Sequence, residues 1–129
     1  MLSWATSGVS GYTLIPGAAL AASGARTSWA ANEPLRVGSI LSVTGPGAFL
    51  GEDMKAGLQL AVDEINAAGG INGRKIAWTF YDAESQTQKA LTATRRLISQ
   101  DKVELIVSGG NMSGIALAMA PMAEAAKIP

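Results

Sequence analysis

The sequence contains no cysteine and no histidine among its 129 residues. Thiolate and imidazole groups supply most zinc ligands, so their absence excludes the usual zinc sites. It also excludes a cysteine nucleophile, a serine–histidine pair, a disulfide framework and a lipid anchor on an N-terminal cysteine. Catalysis would have to rely on carboxylates, Lys, Tyr or backbone groups. We assign no catalytic residue, no metal and no cofactor to this sequence.

The chain also lacks an excess of either charge and has few aromatic residues. Ten Lys and Arg residues balance ten Asp and Glu residues, and aromatic residues make up only 5% of the chain. Without a basic stripe interleaved with aromatics, nucleic-acid binding is not expected. Hydrophobic residues amount to 48%, so the core must be built mainly from small and aliphatic side chains. Such a core suits helices packed on a parallel sheet.

Residues 1–31 differ in composition from the rest, because their one charged residue is Arg26. The apolar run Tyr12–Ala22 and the small residues of Ser28–Ala30 are typical of an export signal and its cleavage site, although no basic residue precedes the run. Pro, Gly and Ser interrupt the segment, whereas a transmembrane helix needs about 20 mostly apolar residues. We interpret 1–31 as a signal peptide or disordered leader, and 32–129 as the folded domain.

Hydrophobic periodicity in the domain predicts an alternation of strands and helices. The predicted strands cover residues 35–43, 75–81 and 103–107, and the predicted helices cover residues 52–68, 85–100 and 115–126. Short connections in a β-α-β-α-β-α order indicate an α/β fold, an open parallel sheet with flanking helices. Such sheets normally extend beyond three strands, and Ile128-Pro129 resembles the approach to a fourth. We expect the sheet to be unfinished within this sequence.

Two helix starts carry local sequence signals. Glu52 and Asp53 would lie in the first turn of the first helix, where negative charge complements the helix dipole. Ser85-x-x-Gln88 has the form of a capping box and would begin the second helix.

Two loops follow predicted strands and precede helices, at the sheet edge where open α/β folds bind ligands. They are Thr44–Gly51 and Ser108–Ser113. The unpaired N–H groups of a helix start can hold a carboxylate or phosphate there. On spacing alone, Ser113 is either an N-cap or a ligand contact. Phe49 and Leu50 either pack beneath the first loop or form the wall of a pocket.

The first loop also permits a dinucleotide-binding enzyme. Gly45-Pro-Gly-Ala-Phe-Leu-Gly51 is rich in glycine, and Asp82 ends the second strand, where such folds place a ribose-binding acid. The spacing is not that of the usual motif, and Pro46 removes a backbone donor where a pyrophosphate needs one.

Three stretches resemble the branched-chain amino-acid-binding family of periplasmic solute-binding proteins. They are Leu35-Arg-Val-Gly-Ser-Ile-Leu-Ser-Val-Thr-Gly-Pro, Gly57-x-x-Leu-Ala-Val-Asp-Glu-Ile-Asn-Ala-Ala-Gly-Gly-Ile-Asn-Gly-Arg-Lys and Gly110-x-x-Ser-Gly-x-x-Leu-Ala-Met-Ala-Pro-x-Ala-Glu. The resemblance implies a two-lobed type I periplasmic-binding fold that is not an enzyme. Residues 32–129 would then form an incomplete N-terminal lobe of that fold. The same resemblance implies a periplasmic protein that captures an amino acid or similar small carboxylate and delivers it to an inner-membrane ABC permease. A sensory ectodomain with the same fold is an alternative.

The resemblance also implies site residues. The family's carboxylate-binding hydroxyl falls on Ser113, with Asn111 and Met112 before it in the same loop. The family's first-loop contact falls on Leu50, with Phe49 beside it. Some members have Tyr at this position, so Leu50 lacks that hydroxyl.

Overall fold

The computed structural model describes residues 33–129, so the predicted leader, residues 1–31, lies outside the described residues. The elements are β1 Leu35–Leu41, α1 Ala48–Ala67, β2 Ile76–Asp82, α2 Thr87–Ser99, β3 Leu105–Ile106 and α3 Ser113–Ala125. The alternation predicted from periodicity is confirmed. In the described part of the chain, no helix is both long enough and apolar enough to cross a membrane.

The sheet has the strand order β2-β1-β3, and both pairings are parallel. β1 pairs with β2 along its whole length, from Leu35 opposite Ile76 to Leu41 opposite Asp82. β3 pairs with β1 over two residues, with Val37 opposite Leu105. The predicted fold class, an open parallel sheet with flanking helices, is therefore confirmed.

The face of the sheet toward α2 and α3 carries the main core. Ile40 is fully buried there, and Gly38 leaves room for Leu97 of α2, whose methyl carbons would lie 2.8 Å from a Cβ at that position. The buried members of this core are Ile40, Ala83, Ala90, Ala93, Leu97, Val103, Ile115 and Met119. Because several are alanines, the helices lie close to the sheet.

The opposite face of the sheet lies against α1. Side chains alternate between faces along a strand, so Ser39 and Phe80 point away from the main core. The Trp78 indole N–H donates to the Ser39 hydroxyl at 2.9 Å, and the Lys55 ammonium of α1 lies 4.8 Å from the Phe80 ring centre. These contacts place α1 over β1 and β2.

The first helix begins earlier than predicted, at Ala48 and not at Glu52. The turn before it leads directly into the helix, because the Ala48 N–H donates to the Gly45 carbonyl at 3.1 Å. The prediction that Glu52 and Asp53 lie in the first turn is therefore wrong, since that turn contains no acidic residue. Phe49 belongs to the helix and not to the loop.

The predicted capping box at Ser85 is also wrong. α2 begins at Thr87 with Gln86 as its N-cap, and no side chain caps it. Ser85 has a φ of +57°, outside the extended region that an N-cap adopts. Its hydroxyl bonds instead to the loop between β1 and α1.

Arg74 binds the amino-terminal end of the sheet. Its guanidinium donates to the carbonyls of Glu33 at 2.9 Å and Pro34 at 3.1 Å, and to both carboxylate oxygens of Glu104 at 2.6 and 3.0 Å. The hydrogen bond from Arg74 is the main reason that the pKa of Glu104 lies below its ordinary value. The backbone entering β1 is thus fixed to the segment entering β3.

The chain returns to the sheet after α3. The Ile106 N–H donates to the Pro129 carbonyl at 2.9 Å, and Ile128 packs partly buried against the main core. Residues 128–129 therefore lie beside β3, on the side away from β1.

Candidate functional site

The strand order changes direction at β1, so the loops after β1 and β3 meet at a switch point of the sheet. Ligands of open α/β folds bind at such points. The loops touch directly, since the Ser42 N–H donates to the Gly110 carbonyl at 3.2 Å. Gly110 has a φ of +62°, and a Cβ there would lie 2.6 Å from the Leu50 carbonyl oxygen. Only glycine fits this approach without strain.

Asn111 joins the two loops through its side-chain amide. Its Oδ1 accepts from the Ser42 hydroxyl at 2.7 Å, and its Nδ2 donates to the Ile40 carbonyl at 2.6 Å and to the Ser108 hydroxyl at 3.2 Å. Both polar ends of the amide are therefore engaged within the protein. The structure gives this predicted ligand contact a loop-fixing role.

Asp82 fixes the first loop from the side of β2. Its Oδ1 accepts from the Val43 N–H at 3.1 Å and the Glu84 N–H at 2.8 Å, and its Oδ2 accepts from the Thr44 hydroxyl at 2.6 Å. Burial raises the pKa of this carboxyl, but these hydrogen bonds outweigh burial and hold the pKa below its ordinary value. Asp82, the residue that a dinucleotide-binding fold would use to bind a ribose, therefore holds the first loop in this structure.

The start of α3 is open to solvent. Met112 is the N-cap and no side chain caps the helix, so the prediction of Ser113 at the N-cap position is off by one residue, within the usual uncertainty of helix ends. Ser113 is the first helical residue and is exposed. The N–H groups of Ile115 and Ala116 bond to the Met112 carbonyl. In general, the N–H groups of the first residues of a helix have no acceptor within the helix, and they can donate to a bound anion.

Three apolar side chains of the α1 start and of the loop before α3 are exposed to solvent. Phe49 is 68% exposed, Met112 44% and Leu50 38%. Phe49 therefore does not pack beneath the loop, which was one of its two alternatives. The structure brings the Leu50 backbone against the loop that carries Asn111 and Met112, and it places Ser113 at the end of that loop.

Ser85 holds the loop between β1 and α1, a role that the sequence does not reveal. Its hydroxyl accepts from the Gly47 N–H at 2.9 Å and donates to the Thr44 carbonyl at 3.0 Å. The capping-box pattern concealed this role, because the pattern assigns the same hydroxyl to the start of α2. No local signal reveals a contact between residues 41 positions apart.

A parallel α/β lobe with a switch point at the carboxyl edge of its sheet is typical of small-molecule binding domains. Residues 34–129 match the sequence profile of the family described as periplasmic binding protein. The chain belongs to that family, which is one of solute-binding proteins and not of enzymes.

Named relatives agree with this assignment. The chain is 40% identical over 99 residues to "Leu/Ile/Val-binding protein homolog 7" of Brucella abortus, an alignment that covers 77% of this chain and 24% of the relative. The substrate-binding protein LivJ of Streptococcus pneumoniae, solved in complex with isoleucine, matches with a TM-score of 0.72 and 38% identity, covering 75% of this chain and 28% of that one.

A solute-binding protein of an ABC transporter from Rhodopseudomonas palustris, solved with 3,4-dihydroxybenzoic acid, matches with a TM-score of 0.67 and 27% identity. This match covers 77% of this chain and 26% of that one. The chain therefore spans about a quarter of the length of the relatives it matches. These relatives favour the binding-protein prediction over the dinucleotide-binding enzyme and the sensory ectodomain.

Proposed function

We propose that this protein is the substrate-binding component of an ABC importer, which captures a small amino acid or a related carboxylate in the periplasm. An inner-membrane ABC permease would receive the ligand. Support comes from the family membership and from the relatives whose names specify Leu/Ile/Val binding or a complex with isoleucine. The described lobe supplies one side of the binding site.

The observation that carries this proposal is the uncapped start of α3 at the switch point. The Ser113 hydroxyl and the first N–H groups of the helix would donate to a ligand carboxylate, where the helix dipole also favours negative charge. No Lys or Arg is needed for this. Phe49, Leu50 and Met112 would provide apolar contact with the rest of the ligand.

Replacement of Ser113 tests the carboxylate contact. In the full-length protein we expect Ser113→Ala to weaken amino-acid binding by about 1 to 3 kcal/mol, the usual cost of an unmet hydrogen bond to a charged group. Isothermal titration calorimetry with leucine, isoleucine, valine and 3,4-dihydroxybenzoate would measure this and rank the ligands.

Ser99→Ala is the matched control, because Ser99 is exposed at the end of α2 and its hydroxyl bonds only to the Arg95 carbonyl among the described residues. It should bind as the wild type does. Equal affinity of the Ser113→Ala variant and the wild type would rule out the proposed contact. Absence of carboxylate binding by the wild type would rule out the proposed function.

A further inference from the structure

The turn between β2 and α2 contains two consecutive non-glycine residues in the left-handed region. Glu84 has a φ of +50° and Ser85 a φ of +57°. This backbone conformation is unfavourable for residues other than Gly, Asn and Asp. Such strain persists only where surrounding contacts enforce it, and it concentrates at functional sites.

The strained conformation directs the Ser85 hydroxyl into the loop between β1 and α1. There it accepts from the Gly47 N–H and donates to the Thr44 carbonyl, so that one hydroxyl bridges both ends of the tight turn before α1. The β1–α1 loop and the β2–α2 turn are in close contact. A Cβ on Gly45 would lie 2.6 Å from the Glu84 carbonyl oxygen, and Gly45 itself has a φ of +82°.

Asp82 ties the strained turn to the same loop. One carboxylate oxygen accepts from both the Glu84 N–H and the Val43 N–H, and the other accepts from the Thr44 hydroxyl. The loop is thus held along its length by residues of a neighbouring connection. This connection lies on the β2 side of β1, away from the switch point between β1 and β3.

We propose that Ser85 is a positioning residue, which sets the β1–α1 loop and the first turn of α1 in place before the ligand arrives. The inference rests on the proposed function. Gly47 is the N-cap of α1, so fixing its N–H fixes the direction in which Phe49 and Leu50 leave the helix start. A loop that is ordered in advance loses less conformational entropy on binding, and the ligand binds more tightly.

Two substitutions separate this role from a contribution to stability. Ser85→Ala removes the hydroxyl and keeps the backbone strain, whereas Ser85→Gly removes the hydroxyl and relieves the strain. In the full-length protein, we expect both variants to bind leucine or isoleucine roughly 3- to 10-fold more weakly, as for the loss of one to two hydrogen bonds. The melting temperature of Ser85→Gly should not fall.

Amide hydrogen exchange provides a second measurement on the same proteins, the exchange rate of the Gly47 N–H. The Gly47 N–H should exchange faster in both Ser85 variants, while the Ser99→Ala control should match the wild type in exchange and affinity. If the wild type binds leucine or isoleucine and both Ser85 variants bind it with the wild-type affinity, the positioning role is overturned and the proposed function stands. If the wild type binds none of the carboxylates, both are overturned.

Discussion

At the scale of single residues, Gly51 shows how closely α1 approaches β1. It is the buried residue of α1, and a Cβ at that position would lie 2.1 Å from the Ser42 carbonyl oxygen. That oxygen belongs to the backbone just after β1 and has no freedom to move aside. The contact sets the distance between α1 and the sheet. It therefore also sets the position of Phe49 and Leu50, which directly precede Gly51 in the helix.

Gly51→Ala should destabilise the protein by about 1 to 3 kcal/mol or more, because overpacking against a rigid backbone forces the helix to shift. Gly57→Ala is the matched control on the same helix, since a Cβ there meets nothing within 4 Å. Alanine is the better helix former, so Gly57→Ala should stabilise by about 0.5 to 1 kcal/mol. Urea denaturation of both variants would measure the difference. A Gly51→Ala variant as stable as the wild type would contradict the geometry.

At the scale of elements, periodicity predicted which helices and strands form but misplaced several of their ends. The apolar residues of the first helix repeat every three to four positions, a pattern that depends only on the helix itself. Its true start depends on the turn at Gly45–Gly47, which Asp82 and Ser85 hold from another part of the chain. The sequence signals at Glu52 and Ser85 were local, and these distant contacts override them.

Both ends of the sheet carry a carboxylate that the fold stabilises in its charged form, Asp82 at the end of β2 and Glu104 before β3. Their pKa values in the folded protein lie below those of the unfolded chain, so unfolding takes up protons in acid. The stabilisation is complete above the ordinary carboxyl pKa values of about 4 and is lost as the pH falls through the lower folded values.

The free energy of unfolding should therefore decrease as the pH is lowered from about 4.5 to 2.5. The double variant Asp82→Asn, Glu104→Gln should show a shallower decrease over this range, because neither site can take up a proton. Urea denaturation at a series of pH values would compare the two proteins. The same slope in both would show that other groups govern acid stability.

At the scale of the whole molecule, the sequence predicted the fold class more fully than the site. Alternating elements with short connections dictate a parallel sheet, and its carboxyl edge follows from that topology. The assignment of a carboxylate contact to Ser113 came from resemblance to a family and not from spacing. The loop-fixing bonds of Asn111 and Ser85 depend on residues that meet only in the folded chain.

Export provides a test of the proposed location. We expect osmotic shock of the native cells to release the protein with its N-terminus near Ala31, as the residues before that position are typical of a cleaved signal. Intact-mass spectrometry of the released fraction would determine the start, with a cytoplasmic enzyme as the control for lysis. A protein that stays with the cells and keeps Met1 would contradict export.

The Arg74 network lies at the pole of the lobe opposite the switch point, and this has a practical consequence. The seven residues of β1 separate the two poles by about 23 Å at roughly 3.3 Å per residue. Arg74 secures the backbone at Glu33 and Pro34, so the chain entering β1 is held at the pole farther from the switch point. A surface tether or a fluorescent reporter joined at that pole should leave ligand capture unchanged, which makes the amino-terminal side the natural attachment point for a biosensor.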